Sequence, residues 1–421
     1  MRNKKIKVAV GFATGRKTFK KILRCYVENW QDCGLFERSD LEINVIVAYD
    51  TKYKNTQSNN FTRISKDLRK LIHNFYFIGE EEVTSIKEKL ILEEVLKYSE
   101  VEDILGKGYS SLRNTILYKA LDEKMDYLLF FDDDEFPISV LKNKNNSIFW
   151  SGQNALSAHL SNILNSDITF GYHCGYISPI PKIDFNQDLN ENDFALFIKA
   201  ISNDIVNWES IKATMEDDGV SYAQDFMKKE LKVKEVKESN KSKFISGSNL
   251  CINLTRPERT MPFFNPPGAR GEDTFLGTYL SDRKVLKIPV YAFHDGFDKY
   301  NHILDGVVPT KLLAIEVQDK KVVDRFYNAC IGWIRYKPLF VYITNYDNYE
   351  ETILEIKENL TLTIPKICNY FNDNRFKNIM RELKKYDKKV KEHYDHYLNA
   401  KTSWLLIIDY ILKQKEEDNG V

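Results

Sequence analysis

Apolar positions in the first half of the chain alternate between two periods. The β-branched runs KIKVAVGF (5–12) and EINVIVAYD (42–50) predict strands that close on small or polar residues. Between them, TFKKILRCYVENW (18–30) sets Phe19, Ile22, Leu23, Tyr26, Val27 and Trp30 on one helical face, so the chain opens as a βαβ unit. The charged stretch 51–69 predicts a loop with a helix, and 80–105 a single continuous helix. A Gly-rich turn then leads into a helix with Leu112, Ile116, Leu117, Ala120 and Leu121 on one face. Next comes YLLFF (127–131), an unbroken apolar run of the kind a strand covered on both faces requires.

From 183 to 243 the composition turns charged and polar, which predicts a helical insertion. The mixed pattern resumes with FISGSNLCINL (244–254) and ends with the strand-like VLKIPVYAFHDGF. After Pro309 the chain is helix-forming and dense in Tyr, Lys and Glu. The expected architecture is therefore α/β over residues 1–309, with the insertion at 183–243 and a helical C-terminal extension at 310–421. In that extension Val390, Tyr394, Tyr397 and Trp404 form a near-heptad stripe expected to pack on the main domain. Self-association into a homo-oligomer and docking on a membrane surface are the alternatives for it.

Composition narrows the function classes. With 421 residues, 43% of them hydrophobic, the chain can bury a large core. Lys plus Arg and Asp plus Glu both number 61, so no global field draws it to nucleic acid, and charge-based function must be local. Six cysteines without a CxxC pair, and an N-terminal apolar stretch too short for a signal peptide, lead us to expect reduced thiols in the cytoplasm. The run WLLIIDYIL (404–412) is interrupted by Asp409 and falls far short of the roughly 20 residues that span a bilayer. Peripheral contact with the inner face of the membrane stays open.

Four local patterns have chemistry available. Asp132, Asp133 and Asp134 follow the buried strand, at the edge where parallel sheets bind ligands. If the chain stays extended there, Asp132 and Asp134 face one side and could share a Mg²⁺ or Mn²⁺; a solvated acidic turn before Pro137 is the alternative. GKGYSSLRNTI (106–116) offers free backbone N–H groups and Arg113 to an anion, or else is a capped helix with an exposed arginine. Glu272 and Asp273 in GARGEDTFLG are candidate acids or helix-start residues. His294, ending an apolar strand, is a candidate metal ligand, although a lone histidine is more often structural.

Taken in order, SLRN, LLFFDDDEFP, SGSNLCINL, RGEDTFLG and the strand-end histidine resemble GT-A fold nucleotide-sugar-dependent glycosyltransferases, most closely the inverting family 2 type, across residues 5–300. The resemblance implies a Rossmann-like, mainly parallel central sheet. It implies that Thr14, Gly15, Arg16 and Asp50 surround the base and ribose, that Arg113 and Asn114 sit beside the nucleotide, and that Asp132, Asp133 and Asp134 form the DxD segment. It further implies Asp132, Asp134 and His294 as ligands of Mn²⁺ or Mg²⁺, and Asp273 with Glu272 as the catalytic base pair. The implied donor is a nucleotide-sugar, UDP-sugars being the commonest, and the acceptor a glycan, lipid-linked or protein hydroxyl in surface glycan or glycoconjugate synthesis. The insertion lies where acceptor-binding elements usually sit, and 310–421 has no counterpart in the pattern. A retaining transferase, a sugar nucleotidyltransferase and a catalytically silent scaffold are the rivals. GFATGRKTFKK fits poorly the Gly-rich basic loop that a nucleotidyltransferase needs after its first strand.

Overall fold

The computed structural model describes residues 5–202, 208–224 and 232–418. Eleven strands are present among them: β1 (Ile6–Thr14), β2 (Leu41–Tyr49), β3 (Asn74–Ile78), β4 (Tyr127–Phe130), β5 (Glu135–Phe136), β6 (Ile138–Lys142), β7 (Ile148–Gly152), β8 (Ile168–Gly175), β9 (Lys234–Glu235), β10 (Leu250–Asn253) and β11 (Val285–His294). Nine of them build one sheet in the order β3-β2-β1-β4-β10-β8-β11-β5, with β9 paired to β11, while β6 and β7 form a separate ribbon. Strands β1 to β4, β8 and β11 run one way; β10, β5 and β9 run against them. The result is a mixed α/β fold with a mostly parallel central sheet.

The apolar runs follow from coverage of both faces. From β1, Val8, Val10 and Phe12 pack with Tyr26 and Trp30 of the helix Phe19–Asp32, while Ala9 and Ala13 join Ile116 and Leu117 of the helix Tyr109–Asp122. Contact with that second helix is close at Gly11, where a Cβ would lie 2.6 Å from Ile116 Cγ2. The strand β1 can approach the helix only because its midpoint lacks a side chain.

The sequence expectations fail in three places. The stretch 80–105 is two helices, Glu80–Leu92 and Tyr98–Leu105, because the N–H groups of Val95 and Leu96 both return to the Leu90 carbonyl and Glu94 takes φ 54°. Leu90, Leu96, Val101 and Ile104 all reach one core across that reversal, so the apolar pattern continues while the helix does not. Strand β3, NFYFI, pairs at the sheet edge without any alternation to announce it. The insertion is helical only in its first part, at Glu191–Ile201 and Trp208–Glu216; later, Lys234–Glu235 extends the sheet along β11. Its residues 203–207 and 225–231 lie outside the described residues.

Beyond Pro309 the chain forms the helices Lys320–Thr344, Tyr349–Tyr370, Asn378–Lys388 and Val390–Asp418. Tyr336, Leu339, Tyr397, Trp404 and Ile407 enter the same core as Ile116, Phe130 and Phe275. Tyr397 stacks on Tyr279 at 4.7 Å, and Trp404 Nε1 donates to Thr260 Oγ1 at 3.2 Å. Among the described residues no helix is long and apolar enough to cross a membrane.

Candidate active site

Strands β1 and β4 are neighbours whose outer partners lie on opposite sides, and ligands of open parallel sheets bind at the carboxyl end of such a switch point. The acidic segment leaves β4 there. It does not stay extended: the chain turns at Asp133 and Asp134, and Glu135 N–H reaches back to the Asp132 carbonyl at 3.4 Å before β5 begins. Period-two alternation ends with the strand, so the three aspartates fan apart.

Asp132 points towards the helix Tyr109–Asp122, where its Oδ1 accepts from Tyr109 Oη at 2.6 Å and from Arg113 Nη2 at 2.9 Å. Asp133 accepts from Thr14 Oγ1 at 2.6 Å, and its other oxygen lies 3.1 Å from Arg16 Nε. Asp134 pairs with Arg16 Nη2 at 2.8 Å and lies 3.6 Å from His294 Nε2, across the sheet at the end of β11. Arg16 also reaches Asp298 at 2.7 Å. Beneath them Glu135 is buried; it accepts from Ser248 Oγ, which itself accepts the Asp132 N–H at 2.9 Å. His173 Nε2 lies 3.0 Å from Glu135, close enough for an ion pair though not aligned for a hydrogen bond.

Electrostatics separate the three acids. Burial and the Asp134 charge push Asp133 up to about 7, against Arg16 and the Thr14 hydroxyl. Asp134 is buried too, but His294 and Arg16 overcome the burial and hold its carboxyl below the usual range. In return Asp134, against the burial of the ring, lifts His294 to about 9. Asp132 is raised by burial despite Arg113.

The metal set Asp132, Asp134 and His294 does not assemble, because Asp132 is held by Arg113 and Tyr109 on the other side of the turn. Among the described residues no three His, Cys, Asp or Glu side chains are placed to hold an ion. Asp134 with His294 alone does fit one. The 3.6 Å between Oδ1 and Nε2 lets both reach a single cation at the roughly 2.1 Å these metals use, provided other oxygens complete the shell. His294 Nδ1–H donates to the Tyr176 carbonyl at 2.7 Å, which leaves Nε2 as the ligating nitrogen once it is deprotonated.

Arg113 also departs from expectation. It is fully buried rather than offered to an anion, stacks on Tyr109, Phe130 and Phe263, and donates to the Gly247 carbonyl. Asn114 spends its amide on the Ile104 and Phe263 carbonyls and the Phe263 N–H, at 2.7 to 3.0 Å, which makes it a structural clamp. At the other edge, Gly15 passes so close to the end of β2 that a Cβ would lie 2.9 Å from the Asp50 carbonyl oxygen; Asp50 Oδ1 accepts the Lys52 N–H at 2.8 Å.

Glu272 and Asp273 start the helix Glu272–Thr278, behind Gly271 in the left-handed region at φ 96°. Both are partly exposed. Arg113 links them to the aspartates: its Nε lies 3.8 Å from Glu272 Oε1, and a Cβ on Gly247 would contact both Arg113 Nη2 (3.4 Å) and Asp273 Cβ (3.3 Å). Burial and then the Asp273 charge push Glu272 up to about 7; Asp273 is raised by burial, while the Thr274 N–H and Arg113 oppose the shift. The pair thus sets two raised carboxyls next to a fixed cation.

Sequence patterns missed Tyr109, Asp298, the Ser248–Glu135–His173 support and, above all, Arg325. This last residue belongs to the C-terminal helix Lys320–Thr344, yet Asp134, Arg16 and Asp298 are among the charges it senses. No protein-family model matches the chain, and no curated protein matches it.

Proposed function

We propose that the chain is a GT-A type glycosyltransferase that moves a sugar from a nucleotide-sugar, with UDP-sugars the first to test, to an acceptor hydroxyl with inversion at the anomeric carbon. Support comes from one juxtaposition: an acid–histidine pair, Asp134 and His294, at the sheet's carboxyl edge, and a separate two-carboxyl site, Glu272 and Asp273, whose neighbour Arg113 pairs with Asp132 of the same acidic turn.

The roles follow from the surroundings. Asp134 and His294 would hold Mn²⁺ or Mg²⁺ together with the donor's phosphate oxygens, and such an ion stabilises charge on a leaving diphosphate. Thr14, Gly15 and Asp50 line the ends of β1 and β2, where the nucleoside would lie. Asp273 takes the acceptor proton as the new C–O bond forms; the bond from the anomeric carbon to phosphate oxygen breaks, and its electrons leave with the nucleoside diphosphate. Beside it Glu272 keeps its own proton up to about 7. Arg113 positions both acids and Asp132 without touching substrate.

A donor screen by thermal shift with Mn²⁺ tests this, since a ligand bound only by the native state raises the melting temperature. One nucleotide series should stabilise the chain, and hydrolysis of the matching nucleotide-sugar should be measurable without acceptor. A chain stabilised by no nucleoside diphosphate or nucleotide-sugar would leave the scaffold alternative standing.

A further inference from the structure

We infer that Arg325, from the C-terminal helical region, clamps the donor's diphosphate. The inference rests on the donor-site reading above.

Two guanidinium groups lie near Asp134, and they are not equivalent. Arg16 is committed, in ion pairs with Asp133, Asp134 and Asp298 at 3.1, 2.8 and 2.7 Å. Arg325 is not: among the described residues it has no ion pair or hydrogen bond, and it lies over the Phe297 ring at 4.4 Å. Burial, with Arg16 and Arg270 as neighbouring cations, lowers its hold on its proton despite Asp134. The side chain is partly exposed and its nitrogens have no direct partner among the described residues, so an arriving anion gains a charge-assisted contact without displacing one. A planar guanidinium offers two parallel donors to phosphate oxygens, which is the geometry a diphosphate rewards.

The backbone beside it is shaped for this side chain. Gly296, two residues after His294, lies so close that a Cβ there would sit 2.0 Å from Arg325 Nη2. Its φ falls outside the left-handed region, so glycine is not required by backbone conformation; what it leaves is room for the guanidinium. Thus the loop that presents His294 also seats Arg325. An anion bound between them would meet the histidine and the arginine together.

Calorimetric titration of the full chain, with Mn²⁺ and again with EDTA, tests the inference with two probes: inorganic pyrophosphate and UDP. Arg325→Gln should weaken both by roughly ten- to a hundredfold, the loss of a charge-assisted contact, and Arg325→Lys should recover part of it. Gly296→Ala, which displaces the guanidinium without removing it, should reproduce the Arg325→Gln loss, and the double variant should be no worse than Arg325→Gln. Melting temperature separates binding from packing: Arg325→Gln should melt close to wild type, since the partly exposed guanidinium makes no ion pair or hydrogen bond among the described residues. Wild-type affinity in Arg325→Gln overturns the inference, as does a loss that Arg325→Lys does not lessen and that comes with a lower melting temperature. If wild type binds UDP and only Asp134→Asn weakens it, the donor site stands and the Arg325 clamp falls; if wild type binds neither probe, both fall.

Discussion

Asp273→Asn and Glu272→Gln together decide the base assignment. Losing a general base costs transfer roughly 10²–10⁴-fold, so Asp273→Asn should fall in that range while UDP affinity holds. Glu272→Gln removes only the partner that keeps a proton up to about 7, so its plateau rate should stay within roughly tenfold of wild type. Its acid limb should stay in place, since burial and not Glu272 raises Asp273. Stability gives an independent check. A carboxyl raised from 4.5 to about 7 in the fold weakens it as pH rises through that window. Glu272→Gln should therefore be more stable than wild type at pH 8 and lose that advantage by pH 4.5. The assays are pH–rate profiles of transfer, urea unfolding at both pH values, and proton NMR of the product linkage. A Glu272→Gln rate below that of Asp273→Asn would place the base on Glu272, and a product with retained configuration would remove the need for a base altogether.

Three further outcomes are expected. Asp134→Ala should weaken Mn²⁺-dependent UDP binding at least about tenfold by calorimetry, and equal wild-type affinity with and without EDTA would refute the metal role of Asp134 and His294. His159 is buried between Thr169 and Asn249 and pushed from 6.5 down to about 4 by burial, so the unfolded chain takes up its proton first: that contribution is intact above 6.5 and is lost as pH falls towards 4, by about 3 kcal/mol, a slope that His159→Gln should remove from urea unfolding curves. Trp404→Ala should cost roughly 3–5 kcal/mol, because the indole is fully buried in a core shared with the sheet; a loss under about 1 kcal/mol would mean that the last helix folds independently.

Legibility in the sequence tracked how local each cause was. The strand before the aspartates was readable because both faces of β4 are covered, which demands YLLF without interruption. The division of labour among the aspartates was not, since alternation holds only inside a strand and the chain turns immediately beyond Phe131. Arg113 illustrates a second limit. Its position on the helix was plain, but its burial depends on Phe130 and Phe263 stacking against the guanidinium, and Phe263 is far along the chain. The break at 93–97 escaped notice for a third reason: both helical halves send leucines and isoleucines to one core, so the apolar period survives the reversal.

Arg325 was the least legible residue, and its position changes how the C-terminal helices relate to the site. A long helix packed against a sheet domain reads from sequence as support, since its apolar stripe explains its presence. Here the helix Lys320–Thr344 buries Phe326 and Cys330 against the insertion's Phe194 and Phe197, and this packing fixes the start of the helix beside the loop after β11. The same contacts therefore tie together three things that a sequence treats separately: the insertion, the C-terminal helices, and the loop carrying His294 and Gly296. A substitution that loosens Phe326 should then lower donor affinity through Arg325 without touching the sheet. Phe326→Leu supplies the test, as its UDP affinity should fall while Arg325→Gln in the same background adds little further loss; additive losses would mean that helix packing and the phosphate clamp are independent.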